Sequence, residues 1–503
     1  MGETSAATGP DFSLGLAISE VPGKGVLAGR VGDDPVLLLR RADGWFAVSG
    51  HCTHYGGPLA EGLIEDDTVR CPWHHACFDL RSGEALRAPA FAPLTRWKVE
   101  IEDDRVFVRE HAPAATPRQS PASDKVERIV IVGGGAAGFS AAEMLRRRGY
   151  KGELTLLSAD NAPPCDRPNL SKDYLAGTAP EDWIPLKPDG FYPKHRIELR
   201  LNAEVAAVAV KSREVITTAG ERFAWDRLLL ATGAEPIRLP GFDHPNVHTL
   251  RSLTDARALI AAAAGARTVA VIGASFIGLE VAASLRARGL TVHVIAPDVV
   301  PMEKVLGREL GIAIRVLHEN HGVRFHLGET ARGYDGGHVD LASGSTIAAD
   351  LVVLGVGVRP RTALAEAAGL TVDKGVVVDR FLRTSAEGVY AAGDIAKYPD
   401  PHTGEPTRVE HWVHACRQGQ VAAMNMLGDP TPYAMAPFFW SHHYDLSVNY
   451  VGHASSFDAA PVDGSIHKGH ATISFLKDGK RLAAASLGRN LQNLEIELEL
   501  ERA

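Results

Sequence analysis

Cys52, His54, Cys71 and His74 are written as C-x-H, a gap of sixteen residues, then C-x-x-H. Each arm supplies one thiolate and one imidazole. Such a set can hold two irons bridged by two sulfides, with one iron on the thiolates and the other on the neutral imidazoles. Cys₂His₂ is also a zinc ligand set. Zinc fingers place the cysteines together and the histidines together, however, and the arrangement here favours two irons. Gly56, Gly57 and Pro58 in one loop and Pro72 in the other let backbone N–H groups crowd around cluster sulfurs. His51 and His75 flank the ligands off the spacing, and are read as exposed caps or supporting residues.

A second kind of chemistry comes from glycines. Gly133-Gly134-Gly135-Ala136-Ala137-Gly138 lies between the apolar run 129–132 and an alanine-rich stretch. In a G-x-G-x-x-G the first glycine turns the chain, the second admits a pyrophosphate and the third lets helix and strand pack closely. The helix N-terminus adds free N–H groups and the positive dipole end. Asp160, near the end of the next strand 153–157, is the candidate for the adenosine ribose. The pattern returns at Gly273, Ser275, Phe276, Ile277 and Gly278, with serine in the second glycine position, where its hydroxyl could contact phosphate. Two such units suggest two dinucleotides. The alternative is two buried turns without ligand.

The surrounding chain fits a large enzyme. Its 503 residues suffice for three or four domains. A net charge of −8 gives no support to nucleic-acid binding. Five cysteines are too few for a disulfide framework and point to a reducing, cytoplasmic compartment. No run of about 18 apolar residues suggests a membrane span. The start, MGETSAATGP, lacks the basic and apolar regions of a signal peptide. Ala6 stands where a myristoylation signal needs Ser or Thr.

These residues need elements to hold them. Short β runs such as 36–39, 45–48 and 106–108 predict an all-β module over 11–112. A Pro/Ala/Ser-rich linker follows at 113–126, long enough for the module to swing. The predicted first dinucleotide domain is discontinuous, 127–250 and 373–432, with a second dinucleotide domain at 251–372 between its halves. A small α+β domain, 433–503, ends the chain. The fold class is therefore multidomain: all-β, then α/β two-dinucleotide, then α+β.

Further motifs carry a resemblance. Ala231-Thr232-Gly233-Ala234-Glu235-Pro236, the run TSAEGVYAAGDIA ending near Gly393-Asp394, Cys165-Asp166-Arg167-Pro168-Asn169-Leu170-Ser171-Lys172, and PFFWSHHYDL from Pro437 are four separated signatures. With them the chain resembles FAD-dependent pyridine-nucleotide reductases of the putidaredoxin-reductase type, glutathione-reductase-like in build. With its N-terminal module it is similar to Rieske-fused, apoptosis-inducing-factor-like reductases. The resemblance implies Lys172 beside the flavin N5 edge, paired with Glu280, and Asp394 on the ribityl chain. It also puts Arg167, Gly357, Glu410, His411, Trp412 and Trp440 in the cofactor sites.

Compared with respiratory Rieske proteins, Gly57 and Trp73 replace the cysteines of a clamping disulfide. Ala76 and Phe78 replace the Ser and Tyr that hydrogen-bond the cluster, so a low potential of roughly −150 mV is expected. Disulfide reductases carry a cysteine pair over the flavin, but Cys165 has no neighbouring partner. The strand 291–295 leads to Asp298 rather than a terminal Glu, and no Arg follows at once, which favours NADH over NADPH. His442 and His443 replace a polar pair of the family motif and are expected to be solvated. His318 and His321 are expected at the surface.

The resemblance implies an NAD(P)H-dependent oxidoreductase, ferredoxin-reductase-like, in which electrons pass from NADH to FAD to the Rieske cluster. They would then go to an external one-electron acceptor protein, an oxygenase or cytochrome. The alternative is an NADH-responsive redox sensor of slow turnover. The chain is expected as a monomer or homodimer.

Overall fold

Ile129, Val130, Ile131 and Val132 are all buried, as a strand in a parallel sheet covered on both faces must be. In this computed structural model, which describes residues 9–120 and 126–503, strand Arg128–Val132 is the middle of a five-stranded parallel sheet. The order is Glu198–Arg200, Glu153–Leu157, Arg128–Val132, Arg227–Leu230 and Val389–Ala391. Pairing of Val389–Ala391 with Arg227–Leu230 brings the chain back to this sheet after an interposed unit of the same build. That unit is a parallel sheet ordered Val247–His248, Leu351–Leu354, Thr268–Ile272, Thr291–Ala296 and Arg324–Leu327. In each unit the central strand runs through a glycine turn into a helix, Ala136–Arg147 in the first and Phe276–Ala287 in the second.

The N-terminal module is β throughout, with a six-stranded and a four-stranded sheet. The three expected runs lie inside strands Asp34–Arg41, Gly44–Ser49 and Arg105–His111. Loop 71–76 joins Thr68–Arg70 to Cys77–Asp79 in the small sheet, and loop 50–58 follows Gly44–Ser49. The C-terminal unit is a five-stranded antiparallel sheet closed by helix Asn490–Arg502. Residues 1–8, with most of the stretch read for targeting signals, and 121–125 of the expected linker lie outside the described residues. Of the rest of the linker, Pro113 accepts a hydrogen bond from Arg96, and buried Ser120 bonds Asp429 of the reductase part.

The module does not stand off from the reductase. Glu497 and Glu501 lie one turn apart on the last helix, a like-charge spacing that costs stability unless cations face it. Three arginines do. Glu497 takes Arg417 and Arg70, each at 2.8 Å, and Glu501 takes Arg70 at 2.8 Å and Arg87 at 2.9 Å. Arg70 and Arg87 belong to the β module and Arg417 to helix Trp412–Met426. Arg417 also donates to the carbonyl of His75 at 2.9 Å, and Gln420 accepts from the Ala88 N–H.

Burial alone would raise the Glu497 carboxyl, but Arg417 and Arg70 hold it well below its ordinary value. His75, expected to be an exposed cap or a support, is fully buried. It stacks on Phe438 at 3.8 Å and lies 3.2 Å from Glu497. The exposed reading failed because its surroundings come from residues more than 300 positions away.

Removing one partner of a buried ion pair leaves the other charge unpaired, at a cost of about 3–5 kcal/mol. Glu497→Gln is therefore expected to lower the melting temperature and open the segment around 113–126 to protease. The carboxylate's contribution is present above the ordinary glutamate value of 4.5 and is lost as pH falls through the depressed folded value. Acid below pH 4.5 should thus undock wild type before it unfolds the parallel sheets. An unchanged melting profile for the variant would show that the network contributes nothing.

Candidate functional site

The two cluster loops close in the same way. Cys52 N–H donates to Gly57 O and Gly56 N–H to Cys52 O, both 2.9 Å; Cys71 N–H donates to Ala76 O at 2.8 Å and His75 N–H to Cys71 O at 3.1 Å. These turns aim the ligands as two pairs. The Nδ1 atoms of His54 and His74 are 3.2 Å apart. Two nitrogens each about 2.1 Å from one metal at a tetrahedral angle would be about 3.4 Å apart. Each thiol shifts the other: Cys71 pushes Cys52 up and Cys52 pulls Cys71 down.

Among the described residues no three His, Cys, Asp or Glu side chains converge on one point. A single tetrahedral zinc needs all four on one centre, whereas a two-iron cluster takes them two and two. Burial lowers His54 to about 3 and His74 well below its ordinary value, keeping both imidazoles neutral. The four residues could hold a [2Fe–2S] cluster.

Gly57 shows why this loop needs its smallest residue. A Cβ there would lie 2.8 Å from the Cys71 sulfur and 3.1 Å from the Trp73 ring. Ala76 and Phe78 are fully buried and carry no hydroxyl.

The first glycine turn meets the two steric demands of its spacing, the turn and the close packing of helix on strand. Gly133 has φ +116°, and a Cβ would strike Ala231 O at 2.1 Å; a Cβ on Gly138 would strike Gly133 O at 1.9 Å. In front of Gly135 the nearest group is the Arg167 guanidinium, 3.6 Å from where a Cβ would be. Arg167 pairs with Asp160 at 3.1 Å. Arg251, which no sequence motif marks, pairs with Asp394 at 2.6 Å and lies over Gly233. Burial lowers Arg167, and Arg251 lowers it further. Two mutually repelling guanidiniums at a helix N-terminus suit a pyrophosphate, so the cradle fits FAD.

Helix Trp412–Met426 packs against this cradle so closely that a Cβ on Gly419 would meet Ala137 O at 2.1 Å. Its N-cap, His411, stacks on Phe439 at 4.2 Å, with half-buried Trp412 next. Gln418 accepts from Gly393 N–H at 2.8 Å. Glu410 is tied to Arg408, which also donates to Asp394 O. Thr232 donates to Arg361 O.

In the second turn Gly273 has φ +105° and Gly278 again leaves no room for a Cβ. Ser275 is occupied otherwise than expected. Its hydroxyl donates to Gly355 O at 2.7 Å and accepts from Gly278 N–H at 3.2 Å. It is the helix N-cap, with its one proton already committed. Ile277 is exposed and Phe276 packs edge-on to Phe439. Gly357 takes φ +102° just beyond strand Leu351–Leu354, at the same end of the sheet as Gly273. Asp298 is exposed, with Lys304 at 3.6 Å.

Lys172 and Glu280 form an ion pair at 2.7 Å, and Ser171 donates to the same carboxylate at 2.6 Å. Glu280 is buried. Trp440 lies between this region and the cluster loops, its ring 4.2 Å from that of His74. Tyr55, stacked on His54 at 3.8 Å, donates to Asp166, whose carboxyl burial pushes up to about 6.

Two expectations fail here: His443 and His318, read as solvated, are both fully buried and contact each other. His442 and His321 are exposed. Cys165 and the other four cysteines are all free. No helix among the described residues is long and apolar enough to cross a membrane.

Comparison with known proteins agrees with this geometry. The family model described as pyridine nucleotide-disulphide oxidoreductase matches residues 127–419, and that of the Rieske [2Fe-2S] domain matches 14–98. Apoptosis-inducing factor 3 of Homo sapiens is 33% identical over 473 residues, 90% of this chain and 78% of the relative. Rhodocoxin reductase of Rhodococcus erythropolis is 36% identical over 368 residues, 72% of this chain and 86% of that one. The crystal structure of the covalent putidaredoxin reductase–putidaredoxin complex superposes with a TM-score of 0.72 at 30% identity, covering 75% of this chain and 93% of that one. On these grounds the chain belongs to the pyridine nucleotide-disulphide oxidoreductase family, an NAD(P)H-dependent FAD oxidoreductase of ferredoxin-reductase type with a Rieske domain at its N-terminal end.

Proposed function

We propose that this protein receives electrons in pairs from NADH and delivers them singly, through its own Rieske cluster, to an external one-electron acceptor protein. When bound, FAD takes hydride from a nicotinamide and releases electrons one at a time, which is the chemistry this route needs. The observation that carries the reading is the contact between the His74 and Trp440 rings at 4.2 Å. It turns the imidazole side of the candidate cluster site towards the reductase.

The chain's own groups have separate tasks. Arg167, Arg251 and the N-terminus of Ala136–Arg147 would bind the FAD pyrophosphate, with Asp160 available to the adenosine ribose and Asp394 to the ribityl chain. Glu280 and Ser171 fix Lys172, so that a cation is held where the reduced flavin carries negative charge. The second glycine turn would seat the nicotinamide dinucleotide. Asp298 at the strand end supports NADH, since a carboxylate accepts from a free ribose 2′-hydroxyl and repels a 2′-phosphate. Cys52 and Cys71 would hold one iron, His54 and His74 the other.

Anaerobic mixing with NADH should bleach the flavin and then produce the electron-spin signal of a reduced Rieske cluster, before any external acceptor is added. Bleaching with a cluster that stays oxidised would rule the internal route out. Trp440→Leu should make cluster reduction lag behind bleaching. In a separate measurement, Ala76→Ser or Phe78→Tyr, each adding a hydroxyl donor near the cluster, should raise its midpoint potential above that of the wild type. A potential unmoved by both would refute the link between the missing hydroxyls and a low potential.

A further inference from the structure

Hydride delivery followed by single-electron departure leaves one proton behind for each NADH: NADH plus two oxidised one-electron acceptors gives NAD⁺, two reduced acceptors and H⁺. That proton is set free at the flavin site, where Lys172 and Glu280 are buried or nearly so. We propose that Ser441, His443 and His318 form a proton conduit from the Lys172–Glu280 pair to the C-terminal end of helix Glu303–Asn320. This inference rests on the electron route proposed above.

The connection is continuous. Ser441 Oγ donates to Glu280 Oε1 at 2.6 Å and lies 3.1 Å from His443 Nε2; His443 Nδ1 lies 3.2 Å from His318 Nε2. Ser441, His443 and His318 are all fully buried. Glu280 comes from helix Phe276–Ala287, Ser441 and His443 from strand Phe438–His443, and His318 from helix Glu303–Asn320. Three elements thus contribute to one line of polar atoms in an otherwise apolar junction. A buried imidazole whose role was packing alone would be better replaced by an aliphatic residue.

One hydroxyl fixes the polarity of the whole line. Ser441 has a single proton and gives it to Glu280, so its oxygen must accept from His443 Nε2–H. His443 Nδ1 then carries a lone pair and accepts from His318 Nε2–H. His318 Nδ1 is left with a lone pair, and it is a buried atom without any hydrogen-bond partner. This is the arrangement that an outgoing proton leaves behind. In such a transit Glu280 passes a proton to Ser441, Ser441 to His443 Nε2, His443 Nδ1 to His318 Nε2, and His318 gives one from Nδ1 to a water molecule, which carries it to solvent as hydronium. Rotation of the hydroxyl and exchange of the ring tautomers reset the line.

The charged and titratable neighbours fit a neutral carrier. Burial, then Lys172 and His442, lowers His443 to about 3; burial, then His443 and His321, lowers His318 to about 3. Neither ring stores a proton at neutral pH, so a proton crosses without lodging. Beyond His318 lie the Tyr444 ring, at 5.1 Å, and exposed His321 stacked on that ring at 3.7 Å. His321 is at the surface.

The test follows protons rather than turnover. Holoenzyme reduced with one equivalent of NADH is mixed with ferricyanide in weakly buffered solution. Flavin absorbance and a pH-indicator dye are recorded together, in H₂O, in D₂O and in mixtures of the two. Wild type should release one proton with the second electron, and its rate should curve downward with deuterium fraction, as several protons in flight require. His443→Gln and His318→Gln, which keep hydrogen bonding but cannot exchange a proton between two nitrogens, should each slow proton release by about 10²-fold. Added imidazole should restore part of the rate.

Release at the wild-type rate in both variants, or a wild-type rate indifferent to deuterium, would overturn the conduit. Should either variant lose its flavin, the wild-type deuterium series decides alone. Failure of NADH to bleach wild type would instead sink the electron route.

Discussion

Glu497 is the pivot of this structure. One carboxylate, fully buried on the last helix, is held between an arginine of the β module and an arginine of the reductase. Neither guanidinium could be left in that interior alone, and Glu497 beside Glu501 on one helical face would be unfavourable without them. Three parts of the chain, distant in sequence, are thereby each incomplete without the others. Arg417 extends the constraint to the cluster loop itself, through the carbonyl of His75. Docking of the module and closure of the C-terminal sheet over the reductase thus share one set of ion pairs.

Around that pivot the dinucleotide turns are set by sterics. Gly133, Gly138 and Gly273 each sit where a methyl group would collide with a backbone carbonyl. The strand, the turn and the helix N-terminus can reach their spacing only when those positions carry no side chain. What differs between the two turns is electrostatic. The first is faced by Arg167 and Arg251, while the second has a serine hydroxyl turned inward as a helix cap. The unit with two arginines at its mouth suits a cofactor that is kept, and the one without them suits a cofactor that comes and goes.

The parts legible in the sequence are those written within a few residues of one another. The C-x-H and C-x-x-H pairs, the G-x-G-x-x-G spacing and the buried strand before it all express short-range geometry. Lys172 and Glu280, more than a hundred residues apart, were matched only through resemblance to relatives. Arg251 and Arg417 gave no local sign, because their partners lie on other domains. Glu497 and Glu501 did leave a trace, two acids at i and i+4 amid the apolar positions Leu494, Ile496 and Leu500. The exposed readings of His75, His318 and His443 fail for one shared reason. Whether an imidazole is buried depends on a partner that can satisfy it, and each partner came from a different element.

Helix Trp412–Met426 begins beside the proposed flavin site at His411 and, less than two turns later, places Arg417 under the cluster loop. A single helix therefore runs from the proposed flavin site to the candidate cluster loop. Tunnelling probability decays exponentially with separation, so rigidity there acts as a clock. On the proposed route, slackening by an ångström would stretch the waiting time of every electron.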